Sequence, residues 1–421
     1  MKKLFLLFLM LSWSIFAADD IFKSSAKITV SSAPPIKIDG IVSEIETKHA
    51  AGMYGFCNLR SKGILSLVPA DAFFNVSTDG KKLFISAICE TGSNGIVQRA
   101  AKGYNSRVSN DDAFEFIIIP DITSDKITIY QLIANNKGGY YTIAKKDGNP
   151  IVWKPAVEIK GSIIDKKWHF ELALPLKEIG IEKLQKNQTI GLRICRNWKR
   201  LQKEYGGSWG LQSSWSQLAG AFFSNYAIPQ ITFKSNSPVV RFLSLRGKNK
   251  PDAKISIFNP TKKGITLNVR YAFMPSQSQS VDHTDNITLK PNEIKILSLK
   301  LPQADINETV KTYLSVTSAD GKDIFYRRSF NWTQAKDDIF ASKQSDAQRI
   351  SVKYAFYPST NQMYVRIDGT SLPDVKSFKG ATLAIHDKNN NNIAAYELSN
   401  VKTVSQKLCG SSPIWQNTQK L

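Results

Sequence analysis

The sequence predicts an all-β protein. Two patterns carry this: alternating or β-branched apolar runs bounded by Gly, Asn, Asp and Pro recur along the chain, and helical periodicity is confined to one short stretch near Leu176 to Leu184. Composition is the third observation. With 42% hydrophobic and 22% charged residues, the 421-residue chain is ordinary for globular proteins and long enough for roughly two to four separate cores.

The first seventeen residues stand apart from the strand pattern. Lys2 and Lys3 precede an apolar run from Leu4 to Met10 that continues through Ile15 and Phe16 to Ala17 and Ala18, the layout of a cleaved export signal over 1–17. Ser12 and Ser14 interrupt the run, and no later segment reaches the roughly eighteen apolar residues of a membrane span. The expected product is secreted or periplasmic, with no membrane span and no nucleic acid partner.

Strand-like runs then follow in order: KITV (27–30), AFFNV (72–76), KLFISAIC (82–89), AFEFIII (113–119) and KITIYQLIAN (126–135). GYYTIA (139–144), VEIKGSII (157–164), WHFELAL (168–174), TIGLRIC (189–195) and AIPQITF (227–233) complete the first set. Pro175 closes WHFELAL because it brings no N–H to a ladder. Ten strands with short turns fit one β-sandwich over 19–235. A polar break from Lys234 to Pro238 separates them from KISIFN, ITLNVRYAF, EIKILSLKL, TYLSVTS and DIFYRRSF, which read as an immunoglobulin-like sandwich over 238–333. A second polar stretch leads to RISVKYAFYP, QMYVRID, GATLAIHD and NIAAYEL, with four Asn at 389–392 as a hairpin tip, before a tail without pattern. Four strands are too few for a full sandwich, so 336–421 is expected to be a partial or truncated third β domain.

Charge narrows the ligand class. The chain carries 56 Lys and Arg against 35 Asp and Glu, a net charge of +21, which favours anionic partners. Residues 151–250 hold 17 of the cations and 6 of the acids, so an exported chain points to an acidic or sulfated polysaccharide. Cys89 and Cys195 sit inside strand-like runs, where a thiol serves as a small hydrophobe; export would permit Cys57 to bridge one of them. The metalloprotease, dinucleotide and P-loop signatures are missing from the sequence, and the four His are spread over three predicted domains. A non-catalytic protein is expected.

The first domain also carries IDG (38–40), Glu44, DGKKLFISA (79–87), NDDAFEFIIIP (110–120), KWHFELALPLKEIGI (167–181) and GLRICRNW (191–198). In this order and spacing, residues 30–233 resemble carbohydrate-binding module family 9 and the related DOMON-like sandwiches. The resemblance implies a sugar-binding sandwich without catalytic residues or cofactor, with polysaccharide or oligosaccharide as partner. Structural calcium is the one ion it would add, at NDD (110–112) or PDITSD (120–125).

Candidate ligand residues follow from sugar chemistry, in which flat rings pack on C–H faces and planar polar groups take the hydroxyls. The polar stretch 196–215 contains Trp198, Trp209 and Trp215 beside Arg196 and Asn197. Family members hold the sugar between a late and an earlier Trp, but no Trp lies between Tyr54 and Val152 here, so Tyr104 with Arg99 and Arg107 takes that place. Glu115, inside an apolar strand, needs a cation or hydrogen-bond donor if buried, and Arg193 and Arg196 are the expected partners. Arg196, Lys199, Arg200 and Lys203 would meet carboxylate or sulfate groups. Trp168 alternates with Phe170 and Leu172 and is assigned to the core. The competing readings are a structural cell-surface protein without glycan binding, the N-terminal part of a larger glycoside hydrolase, and a haem module ligated by His49, Met53 or His169.

Overall fold

A computed structural model describes residues 21–58, 72–91, 96, 98, 100, 102–199, 211–216, 223, 225, 227–245, 253–302 and 308–333, and five later strands. The signal segment 1–17, Arg99, Arg200, Lys203 and Trp209 lie outside the described residues. The chain divides after Lys336 into two compact units.

In the first unit the strands are β1 (Lys27–Val30), β2 (Ala51–Tyr54), β3 (Cys57–Asn58), β4 (Ala72–Thr78), β5 (Lys82–Glu90), β6 (Gly103–Tyr104) and β7 (Ala113–Ile119). They continue as β8 (Thr128–Ala134), β9 (Gly139–Lys146), β10 (Asn149–Ile151), β11 (Glu158–Ile164), β12 (Lys167–Pro175), β13 (Thr189–Trp198), β14 (Leu211–Ser214) and β15 (Gln230–Phe233). The last seven are β16 (Val239–Ser244), β17 (Lys254–Phe258), β18 (Ile265–Pro275), β19 (Val281–Leu289), β20 (Ile294–Ser298), β21 (Thr309–Ser318) and β22 (Ile324–Thr333). The protein is all-β, and the strands lie close to the runs expected from alternation.

Two local departures have physical causes. One short helix, α1 (Glu44–Thr47), is started by a Ser43/Glu46 capping box, a signal independent of apolar periodicity. The stretch after Pro175 makes only a 3-10 turn, Leu176–Ile179, ended by Gly180 in the left-handed region at φ 80°.

The strands build a 14-stranded sheet in the order β10-β9-β8-β7-β13-β15-β1-β22-β21-β18-β19, with β14, β3 and β6 attached, and an 8-stranded sheet, β11-β12-β5-β4-β2-β16-β17-β20. Between them lies an aromatic core: Phe114 stacks on Trp168 at 4.0 Å between ring centres, and Phe74 and Phe170 meet Phe114 edge-on. Trp168 is fully buried, as its alternation implies.

The expected boundary at 235–238 is corrected by the strand pairing. β1 pairs antiparallel with β22, Ile28 opposite Tyr326, and β2 pairs parallel with β16 at Gly52 and Arg241. Both sheets therefore run through both predicted sandwiches, which form one body. The polar break is a connection held on that body, its Lys234 bonded to Asp323 at 2.5 Å. Continuing the sheets hides edges that two separate sandwiches would have to leave open.

Gly52 marks the seam. A Cβ there would sit 2.8 Å from the Phe73 ring and 2.9 Å from Arg241 Cβ. Gly52→Ala should cost about 1–3 kcal/mol, read as a lowered urea midpoint with an unchanged slope.

In the second unit, β23 (Ser351–Tyr357), β24 (Gln362–Asp368) and β27 (Gln406–Leu408) form one sheet, and β25 (Gly380–His386) pairs antiparallel with β26 (Asn392–Ser399).

Candidate functional site

Strand alternation decides which residues can meet. On β7, Phe114 and Phe116 enter the core, so Glu115 and Ile117 face outward from the large sheet. Register then assigns neighbours to that outer face: Cys195 on β13 lies opposite Glu115, and Ile133 on β8 lies opposite Glu115 on the other side. Tyr141 on β9 lies opposite Ile133 in turn.

Glu115 is the centre of a polar chain on this face. Asn197 donates its Nδ2 to Glu115 Oε1, Gln131 donates its Nε2 to Oε2 at 2.7 Å, and Gln212 donates to Asn197 Oδ1 at 3.1 Å. Burial pushes the Glu115 carboxyl above its ordinary range, while the two carboxamides pull it back. A carboxylate offers about four lone-pair directions, so roughly two remain after both amide bonds. Tyr141 is 40% exposed on the same face. It stands two strands from Glu115, roughly 10 Å away at sheet spacing.

Two apolar clusters bracket Glu115 along β7. Val108, Ala113, Ile133 and Ala100 pack beyond one end, and Ile117, Cys195, Ile129 and Ile228 beyond the other. Lys145 reaches over the Phe223 ring at 5.3 Å. Glu115, Asn197 and Gln131 are themselves buried, at 5%, 3% and 6% exposure, and Tyr141 is the exposed ring on this face.

Of the residues expected from sequence, the structure joins Glu115 to Asn197 and separates others. Arg196 lies on the opposite face of β13; its Nη2 donates to Glu90 O at 2.5 Å and its guanidinium packs 3.7 Å from the Trp198 ring centre. Arg193 Nε donates to Ser216 Oγ at 3.2 Å. The expected Arg partners of Glu115 are thus replaced by two amides, while Arg193 and Arg196 are buried with other partners.

Trp198 and Trp215 are each 1% exposed and present no ring to a ligand; they are corrected to core residues at the sandwich end. Trp215 meets Tyr326 edge-on and the Arg328 guanidinium at 4.7 Å. Tyr104 is exposed but pairs in register with Tyr140, on the face opposite Tyr141, with Lys154 5.3 Å above its ring. Arg107 is exposed, and Lys199 is half-buried. Gln131, Gln212 and Tyr141 are the residues that sequence reasoning missed. The alternation of TIYQLIA, which puts Gln131 among outward apolar neighbours, was the one available signal.

Other expected ligand groups are engaged elsewhere. His169 Nδ1 accepts the Val42 N–H at 3.3 Å, and Met53 is buried on β2. Asp111 accepts from Asn135 at 2.8 Å and from Ala100 N, and Asp121 caps Thr123. Among the described residues no three His, Cys, Asp or Glu stand together to hold a metal ion, and no helix is long and apolar enough to cross a membrane.

No protein-family model matches this chain, and no curated protein matches it. Solved structures do. A candidate carbohydrate-binding protein from Bacteroides uniformis aligns with 50% of this chain and 100% of its own, at 14% identity and a TM-score of 0.40. The beta-glucuronidase of Bacteroides uniformis aligns over 68% of this chain and 28% of its own at 8% identity and TM-score 0.17. The GH2 beta-galacturonidase of Eisenbergiella tayi aligns over 81% and 48% at 9% identity and TM-score 0.18. This chain thus spans less than half the length of either enzyme.

Proposed function

We propose that the protein is an exported, non-catalytic carbohydrate-binding protein whose ligand lies on the outer face of the large sheet. One observation supports this most: Glu115 is held between Asn197 and Gln131 on a face that also presents Tyr141. The exposed tyrosine ring suits a pyranose face, and the buried carboxylate and carboxamides order the sheet surface on which it stands. The likeness of residues 30–233 to family 9 modules supports the same reading.

The test is a glycan array followed by calorimetry on the full chain. Tyr141→Ala should weaken binding about 5- to 30-fold, in line with about 1–2 kcal/mol for an aromatic contact, with no change in melting temperature. Equal affinity of the variant, or no binding to any glycan, would overturn the proposal. Steep weakening with salt would assign an acidic ligand, and indifference to salt a neutral one.

A further inference from the structure

The outer face of the small sheet carries a second buried arrangement, unrelated to the glycan site. Residues 39–42 cross it as a strap leading into α1. Glu171 Oε2 accepts the N–H of Asp39 at 2.9 Å and of Gly40 at 2.6 Å, His169 Nδ1 accepts from Val42 N, and Ser162 donates to Gly40 O at 2.6 Å. Gly40 sits at φ +90°, and a Cβ there would come within 3.2 Å of the Gly161 backbone, so the strap lies tight against β11. Beneath it, Ser86 lies opposite Glu171 in register and Asn75 opposite Ser86, with Asn75 donating to Ser86 Oγ at 3.3 Å.

Glu171 shares its cross-strand row with one half-buried cation, Arg241 on β16, which lies beyond Ser86 and Asn75, donates to Asn75 Oδ1 at 3.5 Å and interacts with Glu44 of α1. Glu171 is 1% exposed, and its Oε1 is buried without a hydrogen-bond partner. Two further carboxylates, Asp39 and Glu46, stand near enough to disfavour its ionised form. Asp39 is paired with Lys37 at 3.3 Å, and Glu46 is tied to Ser43. The cation facing Glu171 from β11 is Lys160, opposite in register and exposed. His169, flanked by Lys167 and Asp165, is the remaining titratable group facing the strap from β12.

We propose that residues 39–42 form a proton-latched strap, closed over the small sheet while Glu171 carries a proton on its unpartnered oxygen and released when Glu171 ionises. The protonated acid keeps Oε2 for both strap N–H groups and removes the repulsion from Asp39 and Glu46. Burial, with those two carboxylates, pushes the Glu171 carboxyl up to about 7, against the pull of the Gly40 and Asp39 N–H groups. A released strap returns it to the ordinary value of 4.5. Closing therefore takes up a proton between these values, is favoured as pH falls through 7 and is lost as pH rises. Burial holds His169 below its ordinary value, which favours the neutral ring whose Nδ1 accepts from Val42.

Amide hydrogen exchange on the full chain at pH 6 and pH 8, corrected for the chemical exchange rate, tests the latch. Protection of residues 39–42 should fall about tenfold between the two, while amides of β7 and β13 stay unchanged. Glu171→Gln keeps an acceptor for the strap and cannot ionise, so its strap protection should be equal at both pH values. Equal protection in the wild type, the same fall in Glu171→Gln, or a uniform fall across both sheets would overturn the proposal.

Discussion

A fragment ending at residue 235 is expected not to fold on its own. It would lose β22 from beside β1 and β16 from beside β2, opening both sheets at their centres. It would also lose Arg328, which donates to the carbonyls of Tyr54 and Gly55 and packs between Trp215 at 4.7 Å and Phe330 at 4.4 Å. Two buried carbonyls that lose the guanidinium donor cost about 1–3 kcal/mol each, and the lost cation–π contacts about 1–2 kcal/mol more. In the full chain, Arg328→Ala should therefore destabilise by about 3–5 kcal/mol. Arg328→Lys should not rescue it, because an ammonium cannot span two carbonyls while lying flat between two rings. Urea unfolding followed by tryptophan fluorescence and circular dichroism should show the first unit melting in one transition that Arg328→Ala moves as a whole. A fragment that melts cooperatively at the wild-type midpoint would restore the two independent sandwiches.

That result bears on what the chain discloses before it is folded. Alternation located the strands because side-chain period is a local property: KITV, AFEFIII and GLRIC each carry their inward and outward faces within a few residues. Partnership between strands is not local. Nothing in KITV signals that Lys27 and Ile28 pair with Arg327 and Tyr326, about three hundred positions later, so one body read as two. The same limit divided the site. Glu115 and Asn197 were legible as polar groups in apolar strands, but their juxtaposition depends on β7 and β13 being neighbours. Trp198 and Trp215 misled because their polar sequence neighbours suggested a surface loop, whereas the rings turn inward on to Arg196 and Arg328. A tryptophan ring packed on a buried guanidinium gains a cation–π contact that an apolar run does not offer.

Removing the Glu115 carboxylate should produce two effects that Tyr141→Ala does not. Glu115→Ala strands two buried carboxamide donors, Asn197 Nδ2 and Gln131 Nε2, and should cost about 2–4 kcal/mol of stability. It should also weaken glycan binding, because the buried polar network beneath this face loses its centre. Glu115→Gln keeps one oxygen but turns an NH2 towards a donor, so its stability loss should be smaller and its binding loss similar. Asn197→Ala separates the roles further: it frees one carboxylate oxygen without stranding Gln131, and Gln212 loses its acceptor. The double variant Glu115→Ala/Asn197→Ala should be less destabilised than the sum of the singles by about 1–2 kcal/mol, since the stranded Asn197 donor disappears with the side chain. Chemical denaturation gives that cycle and calorimetry with the glycan gives the binding. Additive stability changes would show that Glu115 and Asn197 do not act as one unit. Unaltered glycan affinity in a folded Glu115→Gln protein would move the ligand away from this face of the sheet.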